Sequence, residues 1–537
     1  MPRLIWMLCC AFCCLVGLAG EAQSASFGFV RTPPRIVVDT GSQLVFSVDE
    51  RNGDLVSMRY RGQELQTREP KASQIASGLG AAQVDVRTVG DVIVISAHAG
   101  DLTQYYMAVK GRDAIYMATY ASTLLPVGEL RFVARLDVGT LPKADHGTDS
   151  NVGTAIEGKD VFLLPDGRTS SKFYSAQPMI DDPLHGVKGP GVAVYMLMGN
   201  RELSSGGPFF KDIATQKTVK THELYNYMFS NHTQTEAYRG GLHGAYGLLF
   251  TQGEAPSAVL TNLDFLNGTL GLEGFLSSAE RGSVSGHASG TVQGTSSLVV
   301  GLSNDKAEYW ARTSTTGDFR LADVRPGRYR STLYQNELDI AHSTLDVSAG
   351  RVTQTSLHAE PPSGRVKWQI GLPDGTPAGF RNAGLLPSAH PSDARMAPWT
   401  TGKYTVGTST LADFPAAQWR DINSPTRIDF VLGANEVHDY RLRVLISLAQ
   451  AGGRPQLSVN GSWHAPVPAA SVQPDSRGIT RGTWRGNNVP FEFDIPASAL
   501  HAGTNTLEIG VASGKSGTGF LSPGFVYDSV QLVEQTP

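Results

Sequence analysis

What the chain lacks narrows it first. Its four cysteines, Cys9, Cys10, Cys13 and Cys14, all fall near the start, and none follows. A disulfide framework and thiol chemistry are therefore excluded from the remainder. An excess of one charge is missing too: 45 Lys and Arg against 49 Asp and Glu leave a formal net charge of −4. No basic field is available for nucleic acid. The apolar run over residues 4–19 is shorter than the roughly 20 residues that span a bilayer. It follows Arg3 and precedes Gly20, Ala22 and Ala25, the order of a secretory signal peptide rather than a membrane anchor. No Leu-x-small-Cys pattern closes it, so a soluble monomer is expected, exported to the medium or the periplasm. Internal repeats of 20 to 50 residues and metal spacings of the HExxH type are also absent.

What is present is turn and strand text. The 59 glycines and 30 prolines of 537 residues separate short alternating segments, which predicts an all-β chain. The length exceeds what one core serves. After a signal peptide at 1–25, residues 26–277 read as a large sandwich unit, with strands such as Leu44-Val45-Phe46-Ser47-Val48 and Val92-Ile93-Val94-Ile95-Ser96 and a turn at Asn52-Gly53-Asp54. Residues 278–361 form a smaller unit around Thr316-Gly317-Asp318-Phe319 and Pro326-Gly327-Arg328-Tyr329. It is similar to fibronectin-III-like modules. A linker near Glu360-Pro361-Pro362 leads to a third unit, 362–537, whose text around Trp419 and Phe493-Asp494-Ile495 resembles jelly-roll carbohydrate-binding modules.

Chemistry concentrates between Arg168 and His243, where polar, basic and aromatic residues interrupt the strands. Tyr225 and Tyr227 lie two apart, so a strand places both rings, with Phe229, on one face. That face is a stacking platform for sugars or an aromatic core stripe; the core reading is preferred for Phe229, and the hydroxyls favour the two tyrosines as substrate contacts. His232 with Glu236 four residues on could be half of a metal site, but a satisfied structural histidine is the commoner case. His185, His222 and His243 show no ligand spacing, and Asp181-Asp182 reads as a turn before it reads as a calcium site.

Five segments in this stretch occur in one order: Ser171-Lys172-Phe173-Tyr174-Ser175, Ser204-Ser205-Gly206-Gly207-Pro208-Phe209-Phe210, Leu224-Tyr225-Asn226-Tyr227-Met228, His232-Thr233-Gln234-Thr235-Glu236 and Gly241-Leu242-His243-Gly244. Here the chain resembles the rhamnogalacturonan lyases of polysaccharide lyase family four, and the likeness extends over nearly all of it. The resemblance implies a galactose-mutarotase-like β-supersandwich followed by a fibronectin-like module and a jelly roll. It also implies endo-cleavage of rhamnogalacturonan by β-elimination at galacturonate.

Such a reaction needs a base for the C5 proton, charge to quiet the uronate carboxylate, and help for the departing oxygen. By resemblance Lys172 is the first choice for the base and His232 its partner, which either neutralises the carboxylate or handles a proton. A lysine base must shed its proton, and mutual depression by His232 is the expected device. Arg131 is a weaker candidate for gripping the carboxylate. Arg477, Arg481 and Arg485 recur every four residues in a Gly-rich loop of the third unit and are expected to add affinity for the anionic polymer. No metal or cofactor is expected for catalysis, although a structural calcium is compatible with the text. Two alternatives remain open. A glycoside hydrolase would need two facing carboxylates about 5 to 9 Å apart, for which Glu202, Asp212 and Glu236 are available. A non-catalytic carbohydrate-binding protein would use the same sandwiches.

Overall fold

The computed structural model describes residues 26–535 apart from 127, 147–151, 233–235, 291–297, 361–362, 475–477 and 483–485. The signal-peptide segment, Arg477 and Arg485 therefore lie outside the described residues. Among those described, strands dominate; the one α-helix is the four-residue Ala258–Thr261, and no helix is long and apolar enough to cross a membrane.

Strand identity follows from alternation. In Val489–Ile495, Phe491, Phe493 and Ile495 are buried while Pro490, Glu492 and Asp494 face out, the period of two that gives a sheet one apolar face. The two early strands read from sequence occur as Leu44–Asp49 and Val92–Ala99. The turn between Leu44–Asp49 and Leu55–Tyr60 is made at Gly53. Its φ is +73°, and a Cβ there would meet the Ala97 methyl at 2.4 Å, so both conformation and space demand glycine.

The N-terminal part holds three main sheets. An eight-stranded antiparallel sheet runs Lys143–Ala144, Leu184–Gly189, Val192–Leu197, Gly241–Thr251, Ala114–Ala121, Leu102–Val109, Val92–Ala99, Gln83–Val89. A five-stranded meander spans Gly28–Thr32 to Gln63–Glu64, and a four-stranded sheet runs Thr215–Lys217, Thr221–Phe229, Leu130–Asp137, Gln74–Ile75. One continuous core gathers Phe46, Ile93, Tyr106, Phe132, Leu224 and Tyr246 from all three. The other face of the large sheet packs Val94, Tyr105 and Tyr116 beneath Leu263, Phe265 and Phe275.

Two sheets then enclose a separate core around Val300, Phe319, Tyr329 and Leu333. The last part is a two-sheet sandwich whose longest strands, Tyr440–Gln450 and Gly524–Glu534, pair antiparallel at its centre, with Trp419, Phe414 and Tyr527 fully buried between the sheets.

Candidate active site

The four-stranded sheet decides where the chemistry sits. Along Leu130–Asp137, Leu130, Phe132, Ala134 and Leu136 point into the main core, which turns Arg131 and Val133 to the opposite face. Across the ladder Arg131 pairs with Tyr227 and Val133 with Tyr225. These two tyrosines join Val133, Phe173 and Ile213 in a small cluster of their own. The expected shared face for Phe229 does not hold. The register shifts between Leu130 and Arg131, Met228 becomes the extra residue of a bulge, and Phe229 swings into the main core with Leu224 and Met228. A bulge inverts the period of two locally, and alternation alone does not reveal it.

Tyr225 and Tyr227 stack with ring centroids 5.4 Å apart. Both are buried, at 6% and 7% exposure, so they pack against neighbours more than they offer a free platform. Tyr227 accepts a hydrogen bond from Arg131 Nη1 at 2.9 Å, while Tyr225 donates to Glu223 at 2.5 Å. Burial first, and the Asp212 charge next, push the Tyr227 hydroxyl far above its ordinary value. It stays protonated at neutral pH.

Lys172 opens a single 3₁₀ turn, Lys172–Ser175, capped by Ser171 Oγ, which accepts from Phe173 N. Each residue of the turn has a separate job. Phe173 joins the tyrosine cluster. Tyr174 Oη donates to the carbonyl of Thr480 in the C-terminal sandwich at 2.8 Å. Ser175 Oγ donates to the Lys172 carbonyl at 2.6 Å and accepts from the amides of Ala214 and Thr215. Only Lys172 faces out, its side chain 26% exposed and its Nζ 3.7 Å from Asp160.

His232 follows the strand Thr221–Phe229 after Asn231, whose φ of +57° suits asparagine. Its ring meets Phe173 edge-on at 5.8 Å and Tyr227 at 5.6 Å. Asp212 faces Nδ1 and Glu129 faces Nε2, each at 3.4 Å. Burial alone would discharge this imidazole, but hydrogen bonds to Asp212 and Glu129 outweigh it and push its pKa up to about 9. His232 is therefore a cation at neutral pH. Glu129 in turn is held below the usual carboxylate range, chiefly by the bond from His232 and further by the charges of Arg131 and Lys172, against its burial. Arg131 also pairs directly with Glu129. Arg131 and His232 thus converge on one carboxylate, whose charge Lys172 also feels.

Arg481 reaches this site from the C-terminal sandwich. Its guanidinium lies 4.8 Å from the Phe173 ring centre, 2.5 Å from Asp160 and 3.7 Å from Glu157. Glu129, Asp160 and Glu157 carry none of the roles read from sequence, and Asp212 was considered only as a hydrolase acid. Single acids scattered over about eighty positions leave no local pattern; the one available cue was the adjacency of Glu129 to Arg131.

The remaining candidates are structural. His243 is buried beside Tyr238 at 3.1 Å, and burial pushes its pKa down to about 3. His185 binds Asp182 and the Tyr225 carbonyl, and His222 the Leu141 carbonyl. Asp182 pairs with Arg201 and Asp181 with Arg312. Glu236 turns to Arg239 rather than to His232. Glu202 is spent on Arg281, Arg325 and Tyr309 at 2.6, 2.7 and 2.6 Å. The segment Ser204 to Phe210 wraps Glu308 of the middle part, through Ser204 Oγ at 2.7 Å and the Gly207 amide at 3.3 Å. Of the three hydrolase acids only Asp212 lies at the site. No group of three or more His, Cys, Asp or Glu able to hold a metal occurs among the described residues.

A β-sandwich that gathers a lysine, an arginine, an imidazolium and a tyrosine hydroxyl beside one sheet face has the equipment of a polysaccharide lyase, which must hold a uronate and move its proton. Three family descriptions cover the chain in order: "Rhamnogalacturonan lyase B, N-terminal" over residues 27–274, "Polysaccharide lyase family 4, domain II" over 280–355 and "Polysaccharide lyase family 4, domain III" over 366–532. "Probable rhamnogalacturonate lyase A" of Aspergillus fumigatus is 42% identical over 95% of this chain and 96% of its own length. "Rhamnogalacturonate lyase A" of Aspergillus aculeatus is 40% identical over 98% of this chain and all of its own. The chain belongs to polysaccharide lyase family 4.

Proposed function

We propose that this lyase cleaves the rhamnose-(1→4)-galacturonate bond of rhamnogalacturonan I from within the chain, as an exported monomer that needs no cofactor. Lys172 as the free amine takes the C5 proton; the C–H pair becomes the C4–C5 double bond; the C4–O4 bond breaks and O4 leaves with rhamnose, taking up a proton. His232, charged at neutral pH, and Arg131 meet the uronate carboxylate and lower the cost of the carbanion-like transition state. The pairing of Arg131 and His232 with the Glu129 carboxylate, close to Lys172, carries this reading, because a place where two cations already hold one carboxylate beside an amine matches the charge of a uronate and the proton it must lose. Incubation with rhamnogalacturonan should yield an ultraviolet-absorbing unsaturated uronate, with little product from homogalacturonan. Cleavage without that absorbance would point to hydrolysis, and equal rates on homogalacturonan would overturn the substrate assignment.

A further inference from the structure

Asp160 stands between two basic side chains from different parts of the chain: Lys172 Nζ lies 3.7 Å from Oδ1, and Arg481 Nη2 lies 2.5 Å from Oδ2. Arg481 is only 17% exposed, with Glu157 behind it and the Phe173 ring beneath. Its charge is directed at acids of the N-terminal part, not outward to solvent. The contact is part of a built seam. Tyr174 donates to Thr480, Thr169 donates twice to Asp393, and His390 lies 3.6 Å from Glu157. Gly482 passes so close that a Cβ would meet the Pro387 carbonyl at 2.4 Å and the Tyr174 ring at 3.0 Å, with φ at +71°. The chain next to Arg481 is thus seated on the same turn that carries Lys172.

We propose that Arg481 is a positioning residue for the elimination: by clamping Asp160 from the C-terminal sandwich it fixes the carboxylate that orients Lys172, so the C-terminal sandwich completes the active site rather than only supplying affinity. Asp160 links Arg481 to Lys172, whereas Arg131 and His232 pair with a different acid, Glu129. The inference rests on Lys172 being the reacting group. A displaced catalytic group on the order of 1 Å costs about 10²-fold in rate, so the effect belongs in kcat.

The test compares Arg481→Ala, Arg481→Lys, Asp160→Asn and the double variant Arg481→Ala/Asp160→Asn on rhamnogalacturonan, with Lys172→Ala alongside. Arg481→Ala should lower kcat about 10- to 100-fold while KM changes less than about 3-fold. Arg481→Lys should recover part of the loss, since a point charge replaces a fork. The double variant should be no worse than the poorer single, because residues acting as one unit are non-additive. A rise in KM at constant kcat would make Arg481 a substrate grip and overturn the proposal, as would losses that multiply. Asp160→Asn keeps the test available should Arg481→Ala fail to fold. If Lys172→Ala itself keeps its turnover, the assignment of the base fails instead, and that outcome is read independently of the other variants.

Discussion

Two clusters in this molecule bring acids and cations together, and they use them in opposite ways. Where the N-terminal and middle parts meet, Glu202, with a side chain 3% exposed, takes Arg281, Arg325 and Tyr309 at once. Each carboxylate oxygen is occupied and the group is sealed. Around Glu129, where the partners are Arg131 and His232 with Lys172 nearby, Lys172 and His232 stay about a quarter exposed, and His232 is held at 3.4 Å rather than at bonding lengths near 2.8 Å typical of strong charged pairs. Density of charge does not separate a site from a rivet. Exposure and looseness of pairing do, because a ligand carboxylate can displace a partner only where the cation still reaches the surface.

The largest effects should break the two clusters in opposite directions. Lys172→Ala should lose turnover by about 10²–10⁴-fold with melting temperature nearly unchanged, as a positioned proton-transfer group does. His232→Ala should lose about 10²–10³-fold, as the loss of a charge-stabilising group, with some loss of melting temperature because the buried Asp212 loses its partner. Glu202→Ala should leave kcat per folded molecule intact and cost about 3 kcal/mol of stability, because the buried Arg281 and the half-buried Arg325 lose their partner. Melting curves and the ultraviolet assay on the same samples decide. A Glu202→Ala protein with unchanged Tm, or a Lys172→Ala enzyme at full rate, would erase the contrast.

A middle-sized effect concerns pH. The His232 pKa stands at about 9, against an ordinary 6.5, because bonds to Asp212 and Glu129 overcome burial. A raised value means the imidazolium is present at neutral pH and is lost as pH rises through about 9. Activity that needs this cation should fall above pH 9. Glu129→Gln should move that limb toward neutrality by removing one of the two acids. A profile of kcat/KM whose upper limb is identical in Glu129→Gln would show that His232 does not act as a cation.

Much of the fold was legible in the sequence, because alternation and turn residues are local signals: the strand containing Val92 to Ser96 and the turn at Gly53 needed nothing beyond neighbours. The ordered motifs located Lys172, Tyr225, Tyr227 and His232, which the structure gathers around Phe173. Two things were not legible. The bulge at Met228 moved Phe229 to the other face, and a bulge is set by the partner strand. The acids Glu129, Asp160 and Glu157 matter only through what folds beside them. The segment Ser204 to Phe210, which helped to carry the family resemblance, grips Glu308 across an internal junction, a role its text does not reveal.

Within the site, the stacked tyrosines sharpen the same contrast at a smaller scale. Tyr227 Oη is tied to Arg131, whereas Tyr225 Oη is tied to Glu223. Tyr227→Phe frees Arg131 from one hydrogen bond worth about 1 kcal/mol and should shift KM several-fold. Tyr225→Phe removes a bond to Glu223 rather than to Arg131, so its KM should stay near that of the parent. Equal shifts in both would mean that the pair acts as one aromatic surface and the hydroxyls do not differ.

The smallest expected effect is that of a chelator. Calcium, where a lyase uses it, quiets the uronate carboxylate, and to do so it needs carboxylates to hold it. Here the acids nearest Lys172 are already committed: Glu129 to Arg131 and His232, Asp160 to Arg481, Asp212 to His232. Inserting a divalent cation among them would set it against the Arg131 and His232 charges that face Glu129, a repulsion that grows as water is excluded. Turnover in EDTA should therefore match the untreated enzyme, even if the melting temperature falls through loss of an ion bound elsewhere. Turnover that collapses in EDTA and returns with calcium, at a constant melting temperature, would transfer the neutralising role from Arg131 and His232 to a metal.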